Sequence, residues 1–358
     1  MRVGIDGRAL RAVHARRGVA VYLEAILGEL ARLFPDDEYR VFVPGSARAD
    51  ALPAAPNVSL VQARAPGPLV NGAAALARRP RLDRLMGGPD IVWAPAVAPF
   101  AVSAATPLVL TVHDLSFEHR PRDFSAYERV WHRLARPAAT ARSAARVIAV
   151  SEAVRAELLA EWNLAPERVR AVPHGPGRTP RAPSTVRDGE RHVLAVGALE
   201  PRKLPGVLVE AHRRAHEQGL RADLVLAGDG PLRGELEQSG ATVLGRVDDR
   251  RLDSLYAGAL CVVCASREEG FGFTPLEGLA AGAPAVVSDL PAFAETLGDA
   301  ALKIPPGDPH ALADALLRLE REPGLRERLV AAGRERLAAL SWERAARGTR
   351  AAFDEALG

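Results

Sequence analysis

Short apolar runs, separated by helical or irregular sequence, recur along the chain and set the expected fold. In the first half they fall at Val3 to Asp6, Tyr39 to Val43, Val58 to Val61, Ile91 to Trp93, Leu108 to Val112 and Val147 to Val150. Runs of this kind mark strands buried on both faces of a parallel sheet. A loop from Gly7 to Arg17 follows the first run, and the apolar spacing from Gly18 then predicts a helix to about Leu33. Ser151 caps and starts another helix after the last run. The alternation of strand and helix predicts a doubly wound α/β domain.

From Pro173 to Arg191 the apolar periodicity stops, and the sequence is rich in Pro, Gly and polar residues. That is linker composition. The strand pattern restarts at His192 to Gly197 and recurs at Leu224 to Ala227, Ala259 to Ala265 and Ala285 to Val287. Helices are expected from about Pro205, from an Asp248 cap to near Tyr256, up to Glu295, and from an Asp308 cap with Leu312, Leu316 and Leu319 on one face. Trp342 to Leu357 reads as one amphipathic helix. The predicted organisation is a first domain over residues 1–178, a second over 179–340, and a terminal helix over 341–358.

A chain of 358 residues, 48% of them hydrophobic, is long enough for two cores. No apolar run approaches membrane-spanning length, and the opening residues read as a strand rather than a signal peptide, so a cytoplasmic protein is expected. Cys261 and Cys264 form a C-x-x-C, but residues three apart on a strand point to opposite faces, so neither redox chemistry nor zinc is expected. Charge is uneven: residues 1–180 carry 24 basic against 17 acidic side chains, and residues 181–358 carry 23 against 27.

The stretch Ser266 to Pro284 concentrates the chemistry. It reads as strand end, glycine loop and helix start, with Thr274-Pro275-Leu276-Glu277 forming a capping-box pattern that opens a helix at Pro275. The loop Glu269-Gly270-Phe271-Gly272-Phe273 lets backbone amides approach a ligand, and the helix terminus adds positive potential, so an anion site for phosphate is expected. Glu269 and Glu277 flank it and would repel phosphate, which suits them to neutral hydroxyls on either side. A nucleotide sugar has that layout. Residues just beyond other strands are further candidates. Arg202 and Lys203 suit a diphosphate; Arg202 could equally be a solvated loop charge. His113 could hold a neighbouring loop or face a ligand, and its neighbour Asp114 could orient the ring or cap the next turn. A lone Gly18 at a helix start is a cap or a ligand contact. Gly228 and Gly230, with Asp248 and Asp249 about twenty residues on, mimic an incomplete dinucleotide fingerprint.

Glu269 to Glu277, E-G-F-G-F-T-P-L-E, resembles the E-x7-E donor signature of the retaining glycosyltransferases of family GT4. The I-D-x-R…G-x-x-x-Y opening, the V-S-E-x-x-R segment after Val150, H-D-L at His113 and G-D-G-P at Gly228 are similar to the family's mannosyltransferase-like subgroup. The resemblance runs along nearly the whole chain. It implies a GT-B fold, two Rossmann-like domains facing across a cleft, with the terminal helix returning to the first domain. It implies that Glu269 and His113 contact the transferred sugar and that Glu277 binds the ribose. Gly18, Arg202, Lys203, Gly270, Phe271, Gly272 and Phe273 would bind the rest of the donor. No metal or other cofactor is expected, the leaving phosphate taking the acceptor's proton, and GDP-mannose is the donor the subgroup suggests. Gly18 stands alone where relatives have a glycine pair, Ala198 replaces a frequent Arg, and His174 replaces a frequent Asn. The alternatives are a nucleotide-dependent oxidoreductase or epimerase, and a non-catalytic nucleotide-sugar-binding module.

The acceptor, a hydroxyl compound, is not legible. Arg64, Arg78, Arg79, Arg81 and Arg84 cluster around Leu69, Val70, Leu76, Leu82, Leu85 and Met86, with only Asp83 opposing them. Such a segment reads either as a solvated helix face or as a surface for peripheral association with an anionic membrane, at its inner face, carrying a lipid-linked acceptor. No nucleic-acid partner is expected.

Overall fold

The computed structural model describes residues 1–10, 18–44, 52–63, 65, 67–178 and 191–358. Arg64, most of the Gly7 to Arg17 loop and most of the Pro173 to Arg191 linker lie outside them. The chain forms two compact units, Met1–Gly175 with Ser341–Gly358, and Pro176–Leu340.

The first unit is built on β1 (Arg2–Asp6), β2 (Glu38–Pro44), β3 (Val58–Ala63), β4 (Ile91–Ala94), β5 (Leu108–Val112), β6 (Arg146–Ala149) and β7 (Val169–Ala171). All pairings are parallel, in the order β3-β2-β1-β4-β5-β6-β7. Its helices are α1 (Gly18–Leu33), α2 (Gly67–Ala77), α3 (Leu82–Leu85), α4 (Ser116–His119), α5 (Ala126–Ala135), α6 (Pro137–Ser143) and α7 (Glu152–Glu161). The second unit carries β8 (His192–Val196), β9 (Asp223–Ala227), β10 (Thr242–Gly245), β11 (Ala259–Cys264), β12 (Ala285–Ser288) and β13 (Ala301–Ile304), again all parallel, in the order β10-β9-β8-β11-β12-β13. Around it lie α8 (Pro205–Glu217), α9 (Arg233–Leu236), α10 (Asp249–Gly258), α11 (Phe273–Ala280), α12 (Pro291–Leu297), α13 (Pro309–Arg321) and α14 (Leu325–Ala339). The last helix, α15 (Trp342–Leu357), packs along α1 within the first unit.

In each sheet the strand order reverses once, between β1 and β4 and between β8 and β11. Ligands of open parallel sheets bind beyond the strand ends at such a point. β11 is buried on both faces, as its unbroken apolar run requires: Cys261 and Val263 pack with Leu208, Leu226 and Leu316, and Val262 packs with Leu194, Val225 and Tyr256. The expected caps hold, with Ser151 Oγ accepting from Val154 N, Asp248 from Arg251 N and Asp308 from His310 and Ala311 N.

Three expectations need correction. Strands β7, β10 and β13 were not legible, and each is the outer strand of its sheet, where one side meets solvent and a continuous apolar run is not needed. Helix α11 begins at Phe273, two residues before Pro275. Its N-cap is Gly272, while Thr274 Oγ1 turns to Val196 O at 3.4 Å and Glu277 turns inward, so no capping box forms. The arginine-rich segment is no single face: Val70, Leu82 and Met86 are core, and Asp83 is buried, accepting from Ser103 N at 2.8 Å. What remains outside are Leu69 and Leu76 on α2, 67% and 81% exposed, with Arg78, Arg79 and Arg84.

Candidate active site

In the second unit the loops that follow the two switch-point strands meet. Arg267 N, after β11, donates to Arg202 O, after β8, at 2.9 Å. This brings Lys203, on a short 3-10 turn, against Glu269, and the Lys203 ammonium donates to the Glu269 carboxylate. Ser266 Oγ, fully buried, donates to the same oxygen at 3.0 Å. Burial pushes the Glu269 carboxyl up, but Lys203 and then Arg202 outweigh it and hold it below its ordinary range, so it is ionised. Arg202 itself pairs with Glu200, Nε to Oε2 at 3.0 Å.

Gly270, Phe271 and Gly272 lead from Glu269 into α11, whose N-terminus adds positive potential at the end of this loop. Phe271 is core, its carbonyl accepting from Thr296 Oγ1 at 3.0 Å, and its ring meets Phe273 edge-on at 5.6 Å. Glu277 lies inside, 8% exposed, with Oε2 accepting from the Tyr256 hydroxyl at 2.8 Å and Oε1 from Arg178 N at 3.1 Å. Burial raises its pKa, and these two donors oppose the rise. The unit thus presents, in chain order along one loop and helix, a cation-bound carboxylate, a helix N-terminus and a buried carboxylate. That arrangement suits a ligand with hydroxyls at either end and phosphate between.

The rival features have structural explanations. A Cβ at Gly228 would lie 1.7 Å from Gly197 O, and one at Gly230 would lie 2.5 Å from Leu199 O. Those glycines let the loops after β8 and β9 touch, which Leu199 N to Asp229 O at 3.1 Å secures. Asp248 is a helix cap. Cys261 and Cys264 are free thiols, each pushed up to about 12 by burial, so both stay protonated and unsuited to zinc or exchange.

In the first unit His113 follows β5. Its Nε2 lies 2.8 Å from Pro95 O, which can only accept, so Nε2 carries the proton. Burial lowers the ring's pKa, leaving it neutral with Nδ1 as an acceptor. Asp114 caps the next turn, accepting from Ser116 N at 3.0 Å and from Ser116 Oγ at 2.5 Å, and its charge also acts on the His113 ring. His113 packs edge-on against Tyr22 at 5.1 Å, and Tyr22 lies 4.4 Å from His174, which stacks on Trp342 at 5.9 Å. Gly18 is the exposed first residue of α1.

Residues 178–336 match the family model "Glycosyl transferases group 1", and residues 16–176 match "Glycosyltransferase Family 4". The chain belongs to the GT4 glycosyltransferases. It is 28% identical over 260 residues to O-antigen chain mannosyltransferase B of Escherichia coli, covering 66% of this chain and 67% of that one. Against two further curated relatives the matched stretch spans 42% and 59% of their length. Sucrose-phosphate synthase from Thermosynechococcus elongatus superposes with a TM-score of 0.75 at 19% identity, over 99% of this chain and 98% of that one. Anabaena HepE, solved with UDP and glucose, superposes at 0.67 and 17% identity over 99% of both. The two parallel-sheet Rossmann-like domains of this glycosyltransferase are those of the GT-B fold.

Two histidine rings, His174 fully buried and His113 partly so, give the glycosyltransferase a pH signature. His113 and His174, 5.6 Å apart, are both pushed below the ordinary 6.5 by burial. Above 6.5 they are neutral folded and unfolded; below it the unfolded chain binds protons first, so stability falls as pH falls from 6.5 toward the depressed values. Each ring can contribute up to about 1.4 kcal/mol per pH unit. Urea midpoints at pH 7.5 and 5.5 should therefore differ more in the wild type than in His174→Phe; equal differences would refute the assignment. The sequence reading passed over Tyr256 and Arg178 as site residues. No local motif marks them, because both reach Glu277 only through tertiary packing.

Proposed function

We propose that this glycosyltransferase moves a hexosyl group from a nucleoside diphosphate sugar to a hydroxyl acceptor, with retention of configuration and without a metal ion. The pairing of Lys203 with Glu269 at the N-terminus of α11 carries the reading. A departing diphosphate there meets a cation and a helix terminus already in place. Among the described residues, no group of three His, Cys, Asp or Glu side chains is placed to hold a metal. The acceptor's proton passes to the leaving phosphate oxygen as the glycosyl bond to the acceptor forms and the bond to the diphosphate breaks. Glu269 positions the sugar, and Glu277 takes the ribose hydroxyls. The UDP bound by Anabaena HepE supports a nucleoside diphosphate donor, and the mannosyltransferase relative supports mannose as the sugar; the donor we propose is GDP-mannose.

Glu277→Ala is expected to weaken donor binding about tenfold, whereas Glu269→Ala lowers turnover more than donor affinity. Calorimetric titration and initial rates, on variants shown to be folded, separate the two. Unchanged donor affinity in Glu277→Ala would sink the ribose assignment.

A lipid-linked or otherwise anionic acceptor is supported by the residues left outside on the first unit. Leu69 and Leu76 are exposed on α2, Tyr127 and Val130 are exposed on α5, with which α2 makes contact, and Arg78, Arg79, Arg84, Arg129 and Arg133 are exposed on the same unit. Among the described residues no helix is long and apolar enough to cross a membrane, so association would be peripheral. The protein should sediment with vesicles containing anionic lipid and dissociate as salt shortens the screening length from about 10 Å. Changing Arg78, Arg79 and Arg84 to Ser should abolish sedimentation and leave donor affinity intact. Arg81 is spared because it bonds Ser103. Wild-type protein left wholly in the supernatant would point to a soluble acceptor instead.

A further inference from the structure

Glu277 is a long side chain on a helix, and an unrestrained one loses rotamer freedom when it orders against a ligand. Here it is already ordered. Tyr256, fully buried on α10 among Leu194, Val225 and Val262, directs its hydroxyl to Oε2 at 2.8 Å. The Arg178 amide reaches Oε1 at 3.1 Å. That approach needs Gly177, with φ of +84° and a position where a Cβ would lie 3.1 Å from Glu277 Cγ. The Arg178 guanidinium is anchored in turn by Asp253, at 2.6 Å, one helical turn before Tyr256. One helix therefore fixes both donors. A carboxylate offers about four acceptor sites, and each of these donors takes one, on different oxygens, so about two remain.

We propose that Tyr256, together with the backbone amide of Arg178, is a positioning pair that locks the Glu277 carboxylate so that its remaining lone pairs meet the donor's ribose hydroxyls. The inference rests on the reading of Glu277 as the ribose ligand and adds the residues that act through it. The charged and titratable groups facing Glu277 are Tyr256 and Asp253 from α10 and Arg178 from the linker; the Cys264 thiol faces Tyr256. Burial holds the Tyr256 phenol well above its ordinary pKa, so it remains a donor across the working range. Loss of that donor removes an interaction that favours the ionised carboxylate, and the pKa of Glu277 rises further. Ribose binding needs the ionised form, so the acid limb of donor affinity moves to higher pH.

The test titrates UDP and GDP, and the 2′,3′-dideoxy form of whichever binds, into the full-length wild type, Tyr256→Phe, Glu277→Gln and the double variant, across pH. The wild type should favour the ribonucleotide. Tyr256→Phe should lose about tenfold in ribonucleotide affinity, keep its dideoxynucleotide affinity and shift the acid limb upward. Adding Tyr256→Phe to Glu277→Gln should cost nothing further, because the pair acts through one carboxylate. A folded Tyr256→Phe that keeps the ribose preference and the wild-type limb, or losses that add in the double variant, would overturn the proposal and leave the Glu277 assignment standing. Equal wild-type affinity for the ribo and dideoxy forms would overturn both. Should Tyr256→Phe not fold, Gly177→Ala makes the same comparison from the linker by displacing the Arg178 amide. Retained ribose preference in that variant would count against the pair.

Discussion

Lys203→Ala is expected to lower turnover by roughly 100- to 1,000-fold, the range seen when a preorganised group facing developing charge is removed. Lys203 is the cation that the fold pairs with the Glu269 carboxylate, in the loop that leads into the N-terminus of α11. In the transition state the diphosphate gains charge, and a cation already held in place there needs no reorganisation. Arg202→Ala should cost far less, because the hydrogen bond that orients Arg202 goes to Glu200, whereas Lys203 is held on Glu269 in the loop that leads into α11. A second consequence follows from the pair. Without Lys203, burial acts on Glu269 with only Arg202 opposing it strongly, so its carboxyl pKa rises and the acid limb of turnover moves upward. Rates at saturating donor, with and without EDTA, check the account. If EDTA abolishes turnover and magnesium or manganese restores it, a metal rather than Lys203 neutralises the diphosphate.

Gly272→Ala should cost about 3 kcal/mol of stability and disrupt donor binding with it. Gly272 has φ of +96°, in the left-handed region, and a Cβ there would lie 2.5 Å from Cε1 of the fully buried Phe293. Strain and overpacking each cost about 1 to 3 kcal/mol, and a core ring cannot swing aside as a surface chain can. Because Gly272 is the N-cap of α11, any relief must move the loop that carries Glu269 and Phe271. Gly206→Ala is the matched control. It lies within α8, a Cβ there meets nothing within 4 Å, and the substitution should be neutral or stabilising by up to about 1 kcal/mol. Urea midpoints that shift equally for the two variants would refute the local explanation.

Much of the fold was legible because strands buried on both faces must be apolar without interruption. That requirement wrote β1, β5 and β11 into the sequence almost to the residue, and the caps at Ser151, Asp248 and Asp308 fixed helix starts because a side-chain oxygen must meet unpaired amides. The outer strands β7, β10 and β13 escaped because one side of each is free to be polar. The E-x7-E spacing likewise placed Glu269 and Glu277 near one loop, since loop and helix lie contiguous in sequence.

Tertiary structure alone decided what those carboxylates touch. Thr274 and Glu277 satisfy a local capping pattern, yet the pull of a buried tyrosine and the Arg178 amide drew Glu277 inward and moved the helix start to Phe273. Leu82, Met86 and Asp83 sit among surface arginines in sequence but are buried, because a four-residue helix and the turn after it can bury one side and expose the other. Composition and periodicity fix which residues must leave water. The partners they find there are set by packing between elements far apart in the chain, as with Lys203 and Glu269 or Tyr256 and Glu277, and no local pattern carries that information.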